Sequence, residues 1–375
     1  MMFSIDDRRH MERALQLAWH GLYTTDPNPR VGAVLVRQGR EIGAGWHRRA
    51  GEPHAERLAL ADAGDARGAT CYVTLEPCSH TGRTGPCAEA LIEAGVARVV
   101  VAMEDPNPRV AGSGLARLRE AGIEVESGLL ESRARALNPG FVRRMETGRP
   151  LVRLKLAISL DGRTAMASGE SQWITGEAAR EDVQRLRARS SAVVTGTGTV
   201  LADRPSLTVR PGQWTLSEYG DPEVRQPLRV VVDSALRTPP DAPVISGEGG
   251  CLIATRRAGD DPLAGPLVKA GAQLVQLPAG EQAGVSLASL LEELARRECN
   301  EVLVESGPTL AGALVREGLV DELVVYMATV LLGSSARPML ALPELERMAQ
   351  RRPLRLRESR QLGNDLRLTL EPENP

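Results

Sequence analysis

Short runs of β-branched and aliphatic residues, VGAVLV (31–36), ATCYVTL (69–75) and ARVVVAM (97–103), recur early in this chain, with the helical stretches HAERLALADAG (54–64) and CAEALIEAGV (87–96) among them. Continuously apolar strands bury both faces, and alternation with amphipathic helices is satisfied when helices cover the two sides of a sheet. The rhythm predicts βαβ units around a buried, largely parallel sheet. LARLREAGIEVESGLLESRARALNPGF (115–141) reads as a helical segment that closes this half. The polar run RRMETGRP (143–150), with Gly148 and Pro150, then breaks the pattern and predicts a domain boundary.

A second α/β series follows, with strands expected at LVRLKLAISLDG (151–162), AVVTG (192–196), LRVVVDS (228–234), CLIAT (251–255), EVLVES (301–306) and ELVVYMATVLL (322–332). Helices are expected at EAAREDVQRLRARS (177–190) and SLLEELARRE (289–298). Residues 211–226 read as a polar surface loop, and LRLRES (354–359) with DLRLTL (365–370) alternates at period two like a terminal hairpin. A length of 375 residues accommodates two such domains.

A net charge of −2 gives no general attraction to nucleic acid or to an anionic membrane, and the arginines of RRPLRLRESR read as a solvated strand face. The expected partner is a small polar molecule. The N-terminal segment is charged from Asp6 onward, without the apolar stretch of a secretory signal, and no segment has the length of uninterrupted apolar residues needed to cross a bilayer. Five scattered cysteines, an odd number, fit a reducing compartment, so a cytoplasmic location is expected.

TLEPCSHTGRTGPC (74–87) and PHAER (53–57) together offer one imidazole, two thiols and a neighbouring carboxylate: His54, Cys78, Cys87 and Glu56. Zinc held by one histidine and two cysteines keeps its fourth tetrahedral position for water, whose pKa falls toward neutrality. Glu56 then suits a proton shuttle between that water and a departing amine. H-x-E followed by P-C-x-x-C is the pattern of zinc nucleobase deaminases, but here eight residues separate the cysteines where the pattern has two. The insertion contains His80, an alternative ligand that would close the coordination sphere. Cys71 lies in a strand pattern and reads as packing, as do Cys251 and Cys299.

DPNPRVGAVLV, GWHRRAGEPHAE, TLEPCSHTGRTGPC and MEDPNPRVAGSG together resemble the deaminase half of the bifunctional riboflavin-biosynthesis deaminase/reductase family, whose members share the long gap between cysteine ligands. The resemblance spans essentially the whole chain. It implies a cytidine-deaminase-like αβα domain over 1–146 and a dihydrofolate-reductase-like α/β domain over 150–375. It also implies zinc on His54, Cys78 and Cys87, Glu56 as the catalytic acid/base, and deaminase substrate contacts at Asn28, His47, Arg83, Asp105 and Asn107. An asparagine offers donor and acceptor to a pyrimidine edge, and an arginine grips phosphate with a fork. Asn28 and Asn107 each precede proline, which also suits a turn.

In the second half, Lys155 stands alone between apolar neighbours, and VVTGTGTVLADRP and VESGPTLAGAL place glycine-rich turns after strands, as a ligand cleft at the carboxyl ends of a sheet requires. Neither turn completes a dinucleotide-binding G-x-G-x-x-G. The resemblance implies NADPH contacts at Ala157, Trp173, Thr199, Asp203, Ser234, Gly307, Pro308, Thr309, Leu310, Ala311 and Gly312. It implies reductase substrate contacts at Ser171, Arg187, Asp203, Leu207, Arg210 and Glu305, and Lys155 is an ionisable residue expected beside them.

The implied reactions are hydrolytic deamination of a ribosylaminopyrimidine phosphate, then NADPH-dependent reduction of the ribosyl to the ribityl chain. A homo-oligomer is expected, with no nucleic-acid or membrane partner. Two rival functions are a nucleic-acid base deaminase, which needs a basic groove, and a structural zinc module with a nucleotide sensor, which needs a closed four-ligand metal site.

Overall fold

In a computed structural model, residues 3–79, 85–210, 212, 224–280 and 284–373 are described. The chain divides into two compact units with a boundary between Arg149 and Pro150.

The first unit runs α1 (Ile5–Trp19), β1 (Gly32–Arg37), β2 (Arg40–Trp46), α2 (Ala55–Ala63), β3 (Thr70–Val73), α3 (Cys87–Glu93), β4 (Arg98–Val101), α4 (Ser113–Glu120), β5 (Glu124–Ser127), α5 (Glu131–Leu137) and α6 (Pro139–Thr147). The sheet order is β2-β1-β3-β4-β5. Strands β3, β4 and β5 are parallel, but β1 pairs antiparallel with both β2 and β3. The expected parallel arrangement therefore holds for only part of this sheet. The cause is the two-residue turn Gln38–Gly39, with φ of 50° and 75°, whose left-handed pair folds β2 straight back on β1.

Residues alternate between two cores at period two. Val34, Tyr72 and Val100 face α1, α5 and α6, whereas Leu35, Cys71 and Val99 face α2, α3 and α4. The segment 115–141, expected to be helical throughout, is broken into α4, β5 and α5. Gly122, at φ +82°, follows the end of α4, and Val125 and Glu126 pair with Val99 and Val100 of β4. The polar run at 143–147 is the last part of α6 rather than an interruption.

Asp7 joins three elements. It completes a capping box with Ser4 at the start of α1, accepts the Tyr72 hydroxyl hydrogen bond at 2.7 Å, and pairs with Arg98 Nη1 at 2.6 Å. Burial alone would raise its pKa. The hydrogen bonds from Arg98, Ser4 and Tyr72 outweigh that effect and hold the carboxyl well below the usual carboxylate range.

The second unit runs β6 (Leu151–Ser159), β7 (Arg163–Ala165), α7 (Glu177–Arg189), β8 (Ala192–Gly196), α8 (Thr197–Asp203), β9 (Leu228–Val232), β10 (Cys251–Thr255), α9 (Ala264–Lys269), β11 (Ala272–Gln276), α10 (Leu287–Arg296), β12 (Glu301–Glu305), α11 (Pro308–Arg316), β13 (Glu322–Ala328), β14 (Arg337–Pro338), β15 (Leu354–Leu362) and β16 (Asp365–Pro372). The main sheet has the order β11-β10-β9-β8-β12-β6-β13-β16-β15. It is parallel from β11 to β13, and the expected terminal hairpin β15–β16 adds to it antiparallel. Leu154, Val304 and Val194 pack under α10 and α11, and Leu303, Val193 and Tyr326 under α7. Most of the loop expected at 211–226 lies outside the described residues.

Asp7→Asn is expected to destabilise the first unit by on the order of 2 kcal/mol at neutral pH, because it removes a charged hydrogen-bond acceptor from a buried network. A carboxyl with a depressed folded-state pKa stabilises above its unfolded value of about 4 and loses that contribution as pH falls toward the folded value. The difference between the two proteins in denaturant titrations is thus expected to shrink below about pH 4.

Candidate active sites

His54 is the N-cap of α2, Glu56 lies in that helix's first turn, and Cys87 opens α3. Helix α2 is seated directly on β2. A Cβ at Gly45 would lie 2.6 Å from the Ala55 carbonyl oxygen and 2.7 Å from the Ala59 nitrogen, so only glycine permits this approach. Cys78 follows β3, whose exit is tied to β1 by Gly32 N–H donating to Thr74 Oγ1 at 3.1 Å.

His54 Nδ1 lies 3.6 Å from Cys78 Sγ and 3.3 Å from Cys87 Sγ, and the three ligand atoms lie within 4.8 Å of one another. Zn–N and Zn–S bonds of normal length at a tetrahedral angle separate nitrogen and sulfur by about 3.5 Å, so this donor set fits zinc. Cys87 donates toward Cys78 and holds its thiol down to about 4, with His54 acting in the same direction, while the Cys87 thiol is pushed up.

Glu56 is 3% exposed, and its Oε2 is buried with no hydrogen bond among the described residues. Burial pushes its pKa up to about 7, against the opposing effects of its own backbone N–H and of His54. A buried carboxyl poised near neutrality can both accept and return a proton.

His47 is buried, which lowers its pKa and favours the neutral ring. With Nδ1–H donating to the Pro53 carbonyl at 3.1 Å, Nε2 accepts from Asn28 Nδ2 at 3.0 Å. Asn28 and His47 are therefore one unit, and the His47 ring meets the His54 ring edge-on at 5.2 Å between centroids. Asp105 and Asn107 share a loop after β4, where Asn107 N–H donates to Asp105 Oδ1 at 2.8 Å. Arg83 and His80 lie outside the described residues.

In the second unit, β8, β9 and β12 are near neighbours in the sheet, and Thr199, Ser234 and Gly307 follow their carboxyl ends. Thr199 Oγ1 accepts from Gly307 N–H at 3.1 Å, and Ser234 Oγ accepts from Val285 N–H at 3.1 Å. Gly307 caps α11, with Pro308 in its first turn. Thr309 is exposed and Leu310 half-buried, whereas Ala311 is fully buried and Gly312 abuts the Ala341 backbone. Trp173 is 67% exposed, with the Arg180 guanidinium 4.7 Å from its ring centre. Ala157 lies on β6, opposite Tyr326 of β13.

Lys155 and Glu305 are paired in register on β6 and β12, with Lys155 Nζ 3.7 Å from Glu305 Oε2. Arg187, from α7, grips the same carboxylate through Nε at 2.6 Å and Nη2 at 3.0 Å. Its Nη1 donates to the Thr208 carbonyl at 3.0 Å, so this fork is engaged within the protein. Burial would raise the Glu305 pKa, but Arg187 and Lys155 overcome it and hold the group at about 2. Burial pulls Lys155 below the usual lysine value, opposed by Glu305 and reinforced by Arg187.

Leu207 is buried at φ +55°, Ser171 is half-buried, and Asp203 and Arg210 are exposed. Sequence reasoning passed over Asp161, which accepts from Gly333 N–H at 2.8 Å, Leu332 N–H at 3.1 Å and the Ser159 hydroxyl, tying the turn after β6 to the 332–333 backbone. Its signal was an acid directly before glycine at the end of a strand. Glu76 was passed over as well, despite standing immediately before the P-C dipeptide.

A one-histidine, two-cysteine cluster beside a buried acid in an αβα unit, joined to a parallel-sheet unit with polar groups at its carboxyl edge, defines a hydrolytic deaminase fused to a reductase. Residues 4–103 match the cytidine and deoxycytidylate deaminase zinc-binding region, and residues 150–368 match the RibD C-terminal domain. The riboflavin biosynthesis protein RibD of Escherichia coli K12 is 51% identical over 371 residues, covering 98% of this chain and 99% of that protein. The structure of Acinetobacter baumannii RibD superposes with a TM-score of 0.90 at 46% identity, covering 98% of this chain and 99% of that one. A Thermotoga maritima diaminohydroxyphosphoribosylaminopyrimidine deaminase/5-amino-6-(5-phosphoribosylamino)uracil reductase superposes with a TM-score of 0.85 at 32% identity, with coverage of 98% and 99%.

The chain belongs to the RibD family of riboflavin biosynthesis proteins. It is a bifunctional deaminase and reductase whose cofactors are zinc and NADPH.

Glu305→Gln leaves the buried Lys155 and Arg187 cations without their counter-ion. It is expected to cost the second unit on the order of 3 kcal/mol in denaturant unfolding and to lower NADPH-dependent reduction, while leaving zinc content and deamination unchanged.

Proposed function

We propose that residues 1–146 catalyse deamination and residues 150–375 reduction, in that order. The first step converts 2,5-diamino-6-(5-phosphoribosylamino)pyrimidin-4(3H)-one to 5-amino-6-(5-phosphoribosylamino)uracil. The second reduces the ribosyl side chain to ribityl. What carries this reading is the convergence of His54, Cys78 and Cys87 at zinc-ligand separations, beside a buried carboxyl oxygen that has no hydrogen bond among the described residues.

Zinc, when bound, supplies a water acidic enough to ionise near neutral pH. His54, Cys78 and Cys87 hold it. Glu56 Oε2 takes a proton from the attacking water and returns one to the departing amine. Asn28, oriented by the neutral His47, reads the pyrimidine edge, and Asp105 and Asn107 contact the substrate from the loop after β4. Arg83, beyond the described residues, grips the phosphate.

In the reductase, Ala157, Trp173, Thr199, Asp203, Ser234 and the Gly307–Gly312 run would hold NADPH, which would supply the hydride. Ser171, Leu207, Arg210 and Arg187 line the substrate side. Lys155, Asp203 and Glu305 are the ionisable groups at C1′, where opening the sugar toward an imine requires a proton to move. Arg187 contributes there by holding the Glu305 carboxylate in place.

The substrate is a small molecule rather than a nucleic acid, and the protein acts in the cytoplasm as a homo-oligomer. Five free cysteines accord with a reducing compartment. No helix among the described residues is long and apolar enough to cross a membrane. An edge strand, β15, exposed along most of its length accords with self-association.

Glu56→Gln is expected to keep zinc and NADPH-dependent reduction and to lose deamination by at least about a hundredfold. Mass analysis of the natural substrate with the zinc-loaded protein should give a product about one mass unit heavier, as oxygen replaces NH, and with NADPH a further gain of about two. Joint loss of both activities in folded Glu56→Gln protein, with reduction assayed on 5-amino-6-(5-phosphoribosylamino)uracil, would refute separate sites.

A further inference from the structure

Glu76 stands between the end of β3 and Cys78 and is 6% exposed. Its backbone N–H donates to the Met103 carbonyl at 3.0 Å, which ties the β3 exit to the β4 exit. Its carboxylate receives a set of backbone amides. Oε2 accepts from Asp105 N–H at 3.0 Å and Gly112 N–H at 2.9 Å; Oε1 accepts from Gly114 N–H at 2.8 Å and Leu115 N–H at 3.4 Å.

Gly112 is the N-cap of α4, left-handed at φ +77°, and has no side chain with which to cap. Glu76 supplies that cap from a distance, and its charge suits the positive end of a helix. Gly114 brings the backbone in: a Cβ there would lie 2.0 Å from the Pro77 carbonyl oxygen. One carboxylate therefore pins the loop at both ends, at Asp105 where it begins and at Gly112–Gly114 where it enters α4. Between these anchors, Asn107 N–H donates to Asp105 Oδ1 and Arg109 N–H to Asn107 Oδ1.

We propose that Glu76 is a positioning residue of the deaminase, fixing the Asp105–Asn107 loop to the segment that delivers Cys78, so that substrate contacts and metal ligands share one frame. The proposal rests on the reading of Asp105 and Asn107 as substrate contacts. A carboxylate that served only to cap α4 would affect unfolding but not substrate affinity. One that holds a recognition loop in register affects KM, because that loop binds ground state and transition state alike.

The test uses the full-length, zinc-loaded protein. Glu76→Gln keeps the shape but turns an amide NH2 toward backbone N–H groups. The deaminase KM is expected to rise about tenfold with kcat within about threefold, with zinc stoichiometry and the kinetics of reduction unchanged. An unchanged KM, or a fall in zinc content that would make Glu76 a support of the metal site, overturns the proposal.

Asp105→Ala and Asn107→Ala are measured in parallel. If they raise KM and Glu76→Gln does not, the contact reading stands and the role of Glu76 falls. If neither raises KM, the contact reading fails and takes the proposal with it. Should Glu76→Gln not fold, residue-by-residue amide exchange in the unaltered protein decides. The Asp105 amide exchanging as slowly as those of β4, together with Gly112 and Gly114, supports the clamp, and exchange of Asp105 at the rate of open loops overturns it.

Discussion

Parallel strand pairing sends successive strand-to-helix connections to the same edge of a sheet, and most of the candidate site residues of both units gather at such an edge. In the first unit, β3 and β4 lie parallel, so the Cys78 segment and the Asp105–Asn107 loop leave side by side. In the second, parallel pairing of β9, β8, β12 and β6 brings Ser234, Thr199, Glu305 and Ala157 toward one margin although they are far apart in sequence. The antiparallel additions, β1–β2 and β15–β16, lie outside these parallel sets.

Carboxylates then divide the labour according to how completely they are satisfied. Glu76 takes backbone amides, Asp161 takes amides and a hydroxyl, and Glu305 takes a guanidinium and an ammonium. Each is fully engaged in holding backbone or side chains in place. Glu56 differs: burial raises its pKa toward neutrality, and one of its oxygens has no hydrogen bond among the described residues. An acid held in that condition costs stability, and it is the state expected of a group that moves a proton.

Much of the site was legible because its chemistry is local. H-A-E puts His54 and Glu56 two positions apart at a helix start, and P-C with a later cysteine supplies thiols at two more strand and helix boundaries. The antiparallel β1–β2 hairpin was less legible, since buried strands read alike whichever way they run, and the direction hung on a turn whose Gln38 takes a left-handed conformation. The break of 115–141 into α4, β5 and α5 was masked by helix-forming residues on both sides of IEVES, a strand that exists because β4 offers it a ladder.

Residue order alone determined the two α/β units, the metal-ligand types and the lysine placed within an apolar strand. These depend on periodicity and on donor chemistry, which are properties of neighbours along the chain. Only the tertiary structure decided that Arg187 spends its fork on Glu305, that His47 orients Asn28, and that Glu76 clamps a loop some thirty residues away. Hydrogen bonds act over about 3 Å of space whatever their separation along the chain, so which partners meet is settled only when the strands and helices pack.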